Sequence, residues 1–307
     1  MLVPYAKVVV NPVAGGGSVN KQWPRISKQL RDVGLSFDYE LTRGKGHAIE
    51  IARQATDIGY RCLVVVGGDG TVNEVANGIM HSTNSANTVL CIINVGSTNA
   101  FAFSLGIAEN FVNHYSFLTS TRRALIDVGV VQCWSQGQLT KRFFVNEASV
   151  GFSAEVVKAW KYLPSRFGRS INLALRIAST YKSLATHRNK KIRFHVANKD
   201  ESISCCGIVI ANGQYFANRM QIAPHASLDD GLLDVVIFGD VTKSELLKMR
   251  PTLYSGDHVK NPKIRENKTT TITIESNEKL LVETDGEILG ETPASFGVIP
   301  SALTIVV

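Results

Sequence analysis

The sequence predicts an α/β plus β architecture. A parallel α/β domain spans residues 1–126 and a mostly antiparallel β-rich domain spans 127–307, with a return of the last strand to the first domain left open. Three observations predict it. Up to about Leu125, buried apolar runs alternate with stretches of helical spacing, which calls for a parallel sheet with helices on both faces. Beyond that point the apolar residues come in short, alternating segments rich in β-branched side chains. Finally, three loops rich in glycine and asparagine, Asn11 to Ser18, Gly67 to Thr71 and Asn94 to Asn99, each follow a first-half strand. They should converge at the carboxyl edge of the sheet, where such folds bind ligands.

In chain order, YAKVVVNP reads as a buried strand ended by Asn-Pro, and VAGGGS as a flexible loop. WPRISKQLRDVG has helical spacing with a glycine stop, SFDYELT is a strand, and HAIEIARQATDIG is a second helix closed by glycine. RCLVVVGGDG is the central strand, TVNEVANGIM a helix, NTVLCIINVGS a strand, and TNAFAFSLG opens another helical turn. In the second half, ALIDVGVVQC, KRFFVNEASVGF, KKIRFHVAN, SISCCGIVIANG, LLDVVIFGDV, TTTITIES, EKLLVETDGE and ALTIVV read as strands. One helical stretch, SRFGRSINLALRIASTYKSLA, interrupts them.

Composition narrows the class. At 307 residues the chain can bury two cores, and its 44% apolar content is that of an ordinary soluble protein. No apolar run approaches the roughly 18 residues of a membrane span, and MLVPYAKVVVNP is cut by Pro12, so it reads as neither signal nor anchor. Cys62, Cys91, Cys133, Cys205 and Cys206 form no C-x-x-C pair, which predicts free thiols in a reducing compartment and no zinc site. Cys205 and Cys206 are read as strand neighbours facing opposite ways.

The net charge of +7 is unevenly placed, with eleven Lys/Arg and no Asp or Glu between Val156 and Lys199. That run is either a solvated face or a surface for anionic lipid headgroups, at about 1 kcal/mol per basic residue. Nucleic acid is not expected, because no helix-turn-helix, zinc knuckle or aromatic RNA-binding strand accompanies the charge. The expected location is cytoplasmic, peripheral at the inner membrane face, with strand edges open to pairing in a homodimer.

The stretch VVVGGDGTVNEVANGI, residues 64–79, carries the chemistry. Strand, glycine turn and helix usually hold a phosphate at the turn. Yet no Gly-Lys-Ser/Thr follows, and the glycines do not fit G-x-G-x-x-G. Gly67 and Gly68 let backbone approach an anion, Gly70 can take a positive φ, and the amides of Gly70, Thr71 and the following helix N-terminus would point at the ligand. Asp69 would repel a bare phosphate, so it implies either a bridging divalent cation or a cap on the following helix.

GGDGTVNEVANG resembles the nucleotide-binding motif of the diacylglycerol kinase catalytic-domain family, which includes bacterial lipid kinases, sphingosine kinases and ceramide kinases. The resemblance continues in order through VVVNPVAGGG, LTRGKGHAIEIA, NVGSTNAFAFSLGI, VNEASVGFSAEV, ANGQYFANRMQIAPHASLDDGLLDVVIF and VETDGE. It implies a first domain like that of NAD kinase and 6-phosphofructokinase, a C-terminal β-sandwich that takes the lipid, and ATP- and Mg²⁺-dependent phosphorylation of a lipid alcohol. Asn11, Gly15, Thr42, Gly67, Gly68, Asp69, Gly70, Thr71, Val72, Asn73 and Ser97 resemble the ATP-contacting positions. Asp69 would belong to the network around the metal-bound phosphates, and Glu287 matches the family's general base. Asp230 would hold Mg²⁺ with the backbone carbonyls of Ser227 and Leu232, an oxygen set suited to a hard cation. Without the resemblance, Asp229-Asp230-Gly231 is equally a β-turn, and Asp285-Gly286-Glu287 a hairpin turn followed by an exposed glutamate.

The third loop departs from the family pattern Pro-x-Gly-Thr-Gly-Asn-Asp-Phe-Ala. Asn94 stands for the proline, Ser97 for the threonine, Thr98 for a glycine expected to need positive φ, and Ala100 for an aspartate. Alanine there is similar to the sphingosine kinases and tilts the acceptor towards a long-chain base or another lipid alcohol. The alternatives are an NAD kinase-like enzyme, which shares the Gly-Gly-Asp-Gly turn, and a non-catalytic module that binds nucleotide and membrane.

Overall fold

The computed structural model describes residues 5–96, 98–107, 122–163, 169–196 and 199–307. Its first half runs β1 (Ala6–Val10), α1 (Ala14–Asp32), β2 (Phe37–Leu41), α2 (His47–Ile58), β3 (Cys62–Gly67), α3 (Asp69–Met80), β4 (Val89–Asn94) and α4 (Ala100–Ser104). The second half opens with β5 (Arg123–Ser135), β6 (Gln138–Phe144), β7 (Glu147–Gly151), α5 (Phe152–Lys161) and α6 (Arg169–Thr186). There follow β8 (Lys190–Val196), β9 (Lys199–Cys205), β10 (Gly207–Ala211), β11 (Tyr215–Phe216), β12 (Met220–Gln221) and β13 (Leu233–Phe238). The chain closes with α7 (Lys243–Ser255), β14 (Ile264–Thr269), β15 (Thr271–Ser276), β16 (Leu281–Thr284) and β17 (Glu287–Val306).

The first half is the expected parallel sheet. β1 lies between β2 and β3, and β3 pairs β4, all in parallel register. Strand alternation sorts the side chains onto two helix layers. Val8, Val10, Val64, Val66, Cys91 and Ile93 meet α1 through Trp23, Ile26 and Leu30. Val9, Leu63, Val65, Leu90 and Ile92 meet α2 and α3 through Ile51, Val72 and Ile79. Continuous apolar runs such as Cys62–Gly67 follow from burial on both faces.

The second half is antiparallel. β14, β13, β10, β7, β16 and β17 pair in that order, while β5, β6, β15, β8 and β9 extend from β17 by further antiparallel pairs. One core lies between these layers, with Phe144, Val150, Ile210, Val235, Ile274 and Phe296 among its members. β17 joins the halves: it pairs β16, β15 and β5, and then Thr304 and Ile305 run parallel to Val89 and Leu90 of β4. One sheet therefore passes through the whole molecule.

Two details differ from expectation. Among the described residues the second half holds three α-helices where one was expected, because α5 and α7 accompany α6. α7 covers the outer face of β10 and β13 with Met249, and its start is fixed by a capping box between Thr242 and Glu245. VAGGGS is not an open loop: Gly15, Gly16 and Gly17 follow each other in left-handed conformation directly into α1. Cys205 and Cys206 do point apart, into different cores, and all five cysteines are free.

Leu303, buried where β17 meets the first half, tests that junction. Leu303→Ala is expected to cost about 2–5 kcal/mol, read as a lowered urea midpoint. Leu139→Ala on the exposed β6 edge should stay within about 0.5 kcal/mol of the parent.

Candidate functional site

The three glycine- and asparagine-rich loops meet at the carboxyl edge of β1, β3 and β4. Asn11 donates from Nδ2 to Thr71 Oγ1 at 2.9 Å, joining the first loop to the second. Gly15 has a φ of +59°, and a Cβ there would stand 2.5 Å from the Val95 carbonyl oxygen, so glycine lets the first loop approach the third. Gly68 and Gly96 lie face to face: a Cβ on Gly96 would fall 2.6 Å from the Gly68 Cα. The Val95 amide donates to the Gly67 carbonyl at 2.9 Å.

Asp69 sits half-exposed at the centre. It does not cap its own helix, whose N-cap Gly68 has no side chain to offer. Its carboxylate instead accepts from Thr98 Oγ1 at 2.9 Å and from the Phe101 amide at 3.2 Å, so it caps α4 from across the loops. Gly70 does not use its freedom of φ; it lies in the first turn of α3, and nothing comes within 4 Å of where its Cβ would be. Its lack of a side chain keeps that side of the turn open. The amides of Thr71 and Val72 close back on the Gly68 carbonyl at 2.9 and 3.1 Å. Thr98 has no positive φ, and among the described residues of the third loop Asn99 is the left-handed one.

The remaining expected nucleotide positions divide. Thr42 ends β2, its amide on the Val10 carbonyl at 2.8 Å. The Val72 side chain is buried in the core beneath α3. Ser97 lies outside the described residues. Asn73 turns away from the loops towards the second half, where Nδ2 reaches Asp285 Oδ2 at 2.6 Å and the Phe143 carbonyl at 3.0 Å. Its Oδ1 accepts from Arg142 at 2.9 Å.

That contact brings Glu287 to the site. Asp285 and Gly286 form the two-residue turn between β16 and β17, both with positive φ (45° and 84°), and Glu287 opens β17 opposite Thr284. The Asp285 carboxylate accepts the amides of Val145, Asn146 and Glu147 at 2.9, 3.1 and 2.9 Å, besides Asn73. Glu287 is paired with Lys45, from the loop between β2 and α2, and lies 3.8 Å from Lys161 at the end of α5. Lys45 is itself placed by α3, because Glu74 accepts the amides of Gly46 and Ala48 at 2.8 and 3.2 Å.

Sequence reading missed a group of buried acids beneath this turn. Glu283 accepts Ser149 Oγ at 2.7 Å and the Gly286 amide, and Glu147, two residues before Ser149 on the same face of β7, is a second buried acid beside it. Burial pushes the Glu283 carboxyl up to about 7 against the pull of Ser149 and Gly286. Glu147 is pushed well above the carboxylate range by burial and by the charges of Glu283 and Asp285. Burial raises Asp285 as well, outweighing the donors around it. Alternate positions of a strand share one face, so the acids of ETDGE fit a solvated face equally well and carry no signal of this burial.

The SLDDGLL loop is held from beneath by another acid not singled out in the sequence. Asp127, buried on β5, accepts the amides of Gly231 at 2.6 Å and Ser301 at 2.7 Å. Asp230 accepts the Leu232 amide at 3.0 Å and the Lys268 ammonium at 2.7 Å, and Ser227 donates to Asp229 at 2.6 Å. One carboxylate with nearby carbonyls suits a hard cation. Here, however, Lys268 supplies the positive charge, so Mg²⁺ at Asp230 requires its displacement.

Comparison with known proteins agrees with this fold. Residues 5–131 match the diacylglycerol kinase catalytic domain, and residues 147–307 match the YegS C-terminal NAD kinase beta sandwich-like domain. A diacylglycerol kinase of Staphylococcus haemolyticus is 24% identical over 291 residues, covering 95% of this chain and 84% of that protein. A solved diacylglycerol kinase from Bacillus anthracis superposes with a TM-score of 0.73 at 20% identity, covering 100% of this chain and 97% of its own. Yeast NADH kinase complexed with NADH shares the fold at a TM-score of 0.53 and 9% identity, over 98% of this chain and 82% of its own.

The raised acids set the sign of a pH effect. Groups whose folded pKa lies above the unfolded value stabilise the protein below the ordinary carboxylate range, and that contribution is lost as pH rises through about 7. Stability is therefore expected to fall between about pH 5 and pH 8, followed as the thermal midpoint, and Glu283→Gln should flatten the slope.

Proposed function

The chain belongs to the diacylglycerol kinase catalytic-domain family, and on that premise we propose that it transfers the γ-phosphoryl group of ATP to the hydroxyl of a lipid alcohol, diacylglycerol or a sphingoid base, with Glu287 as general base. The observation that carries this reading is the Asn73–Asp285 contact, which mounts the Glu287 turn on the helix that begins at the Gly67–Thr71 loop. Glu287 removes the hydroxyl proton as the alcohol oxygen bonds to the γ-phosphorus. The bond from that phosphorus to the bridging oxygen breaks and ADP leaves. The transition state of such transfers is loose, so positioning and charge neutralisation supply most of the acceleration.

Gly70 and the open start of α3 face the phosphates in this reading, and Lys45 and Lys161 bring positive charge to the Glu287 side. A carboxylate, phosphate oxygens and water are ordinary ligands for Mg²⁺. Asp69 fits that role, since it is half-exposed and each oxygen accepts a single hydrogen bond. Bound with the nucleotide, Mg²⁺ would neutralise phosphate charge.

The lipid would arrive along the basic hairpin of α5 and α6. Among the described residues no helix is long and apolar enough to cross a membrane. Yet Tyr162 (78% exposed), Leu173 (58%), Ile171 (53%), Ile177 and Tyr181 present apolar surface beside Lys158, Lys161, Arg176 and Lys182. Apolar side chains interleaved with cations suit an anionic bilayer surface.

The direct test is transfer of labelled γ-phosphate from ATP with Mg²⁺ to diacylglycerol, monoacylglycerol, phosphatidylglycerol, sphingosine and ceramide in mixed micelles, with NAD as the soluble control. A labelled lipid names the acceptor. Label in NADP moves the protein to the NAD kinase branch, and nucleotide binding without any transfer favours the non-catalytic module. Glu287→Ala is expected to lower turnover by about 10²–10⁴-fold with nucleotide binding retained. Ile171→Asp with Leu173→Asp should reduce binding to anionic vesicles while leaving turnover of a short-chain soluble acceptor unchanged.

A further inference from the structure

We propose that Glu283, sharing one proton with buried Glu147, is a positioning residue that sets Glu287 on its turn; this rests on the reading of Glu287 as the base. Glu283 stands opposite Ser149 in the β7–β16 pair and takes that hydroxyl on one oxygen. Its other oxygen takes the amide of Gly286, the residue immediately before Glu287. Glu147 shares the face of β7 that carries Ser149, so the two acids are buried side by side. Two bare carboxylates so placed repel each other, so in this proposal Glu147 carries the proton and turns it towards Glu283 as a third donor. Its Oε2 is buried without a partner, as fits the carbonyl oxygen of a neutral acid more readily than a carboxylate.

An ionised Glu283 is thus an acceptor for three donors, and charge-assisted bonds are roughly twice as strong as neutral ones. A second proton would have to find its own acceptor among those donors. It would also weaken the bond to Gly286, loosening the turn. The other charged groups on the surrounding elements are Asp285 on the turn, and Glu155, Lys158 and Lys161 on α5, which packs against β16. Arg142 on β6 reaches the cluster through Asn73, and Glu287 with Lys45 lies above it. Among the described residues no cation is hydrogen-bonded or ion-paired to Glu283, and in this proposal the shared proton relieves the repulsion between the two acids.

The test follows the Gly286 amide by NMR in ¹⁵N-glycine-labelled protein across pH, alongside kcat on the lipid acceptor. In the parent, the Gly286 signal should titrate near the Glu283 value of about 7, and turnover should fall on the acid side of the same point. Glu283→Gln keeps an oxygen for the amide and removes the titration. It is expected to hold turnover at neutral pH within about threefold, with the acid limb moved down. Glu283→Ala removes the acceptor and should lower kcat by roughly 10²-fold, the scale of a small misplacement. At about pH 9, above the Glu283 titration, Glu147→Gln should remove a protonated-carboxyl infrared band that the parent retains.

A Gly286 signal that does not titrate, an acid limb unchanged in Glu283→Gln, or an infrared band retained in Glu147→Gln would each overturn the proposal. Glu287→Ala separates the two levels. If that variant keeps full turnover, the base reading falls and the catalytic role of Glu283 with it, while the Gly286 titration and the infrared band still decide whether the acids share a proton.

Discussion

The hydrogen bond between Asn73 and Asp285 is the contact on which the arrangement of the site depends. Asp285 is an acid buried in a left-handed turn, two costs that only dense hydrogen bonding offsets. Three consecutive amides, Val145 to Glu147, and the Asn73 side chain provide it. Asn73 lies four residues after Asp69 in α3, a rise of about 6 Å at 1.5 Å per residue. The turn that carries Glu287 is therefore separated from the centre of the loops by one helical turn and one side-chain contact. Few elements can flex between them.

The same helix explains why TVNEVANG is so rich in polar residues for a buried segment. Thr71 accepts from Asn11, Asn73 donates to Asp285, and Glu74 caps α2 and so places Lys45. Asn77 brackets Phe143 of β6 by donating to its carbonyl at 2.9 Å and accepting its amide at 3.0 Å. Each would be costly to bury unpaired. With partners supplied by both halves, they turn α3 into the mount from which the nucleotide loops, the Lys45 loop and the base turn are all held.

Much of this was legible in the sequence, for definable reasons. Strands buried on both faces read as continuous apolar runs, and the parallel order puts their loops on one edge, so the convergence of Asn11, Gly68 and Gly96 needed no tertiary information. α5 was missed because FSAEVVKAWK follows a strand without a break, and α7 because its apolar face is short, although its capping box was readable. The partners of Asp69 and Asn73 were not legible. A carboxylate after a glycine turn predicts a local cap equally well, and only the packing of the third loop sends Asp69 to α4 instead. Glu283 and Glu147 lie 136 positions apart, and nothing local in either strand announces the pairing.

The third loop shows how one departure from the family pattern conditions another. Thr98 stands where glycine is usual, yet its backbone is ordinary and its hydroxyl satisfies Asp69. Ala100 stands where a second carboxylate is usual, and it is buried at the start of α4, one residue before the amide that Asp69 accepts. A carboxylate there would face the repulsion of a second charge in a low-dielectric setting. Thr98 and Ala100 thus form a consistent pair: one hydroxyl donor replaces part of an acidic network, and Asp69 keeps a single negative charge with its geometry fixed. On the proposed reading this places more of the neutralisation of phosphate charge on Lys45 and Lys161, which flank Glu287 from opposite halves of the molecule. Lys161 also ends α5, the first helix of the basic hairpin, so the surface that would meet the membrane and the turn that would activate the lipid hydroxyl share a residue.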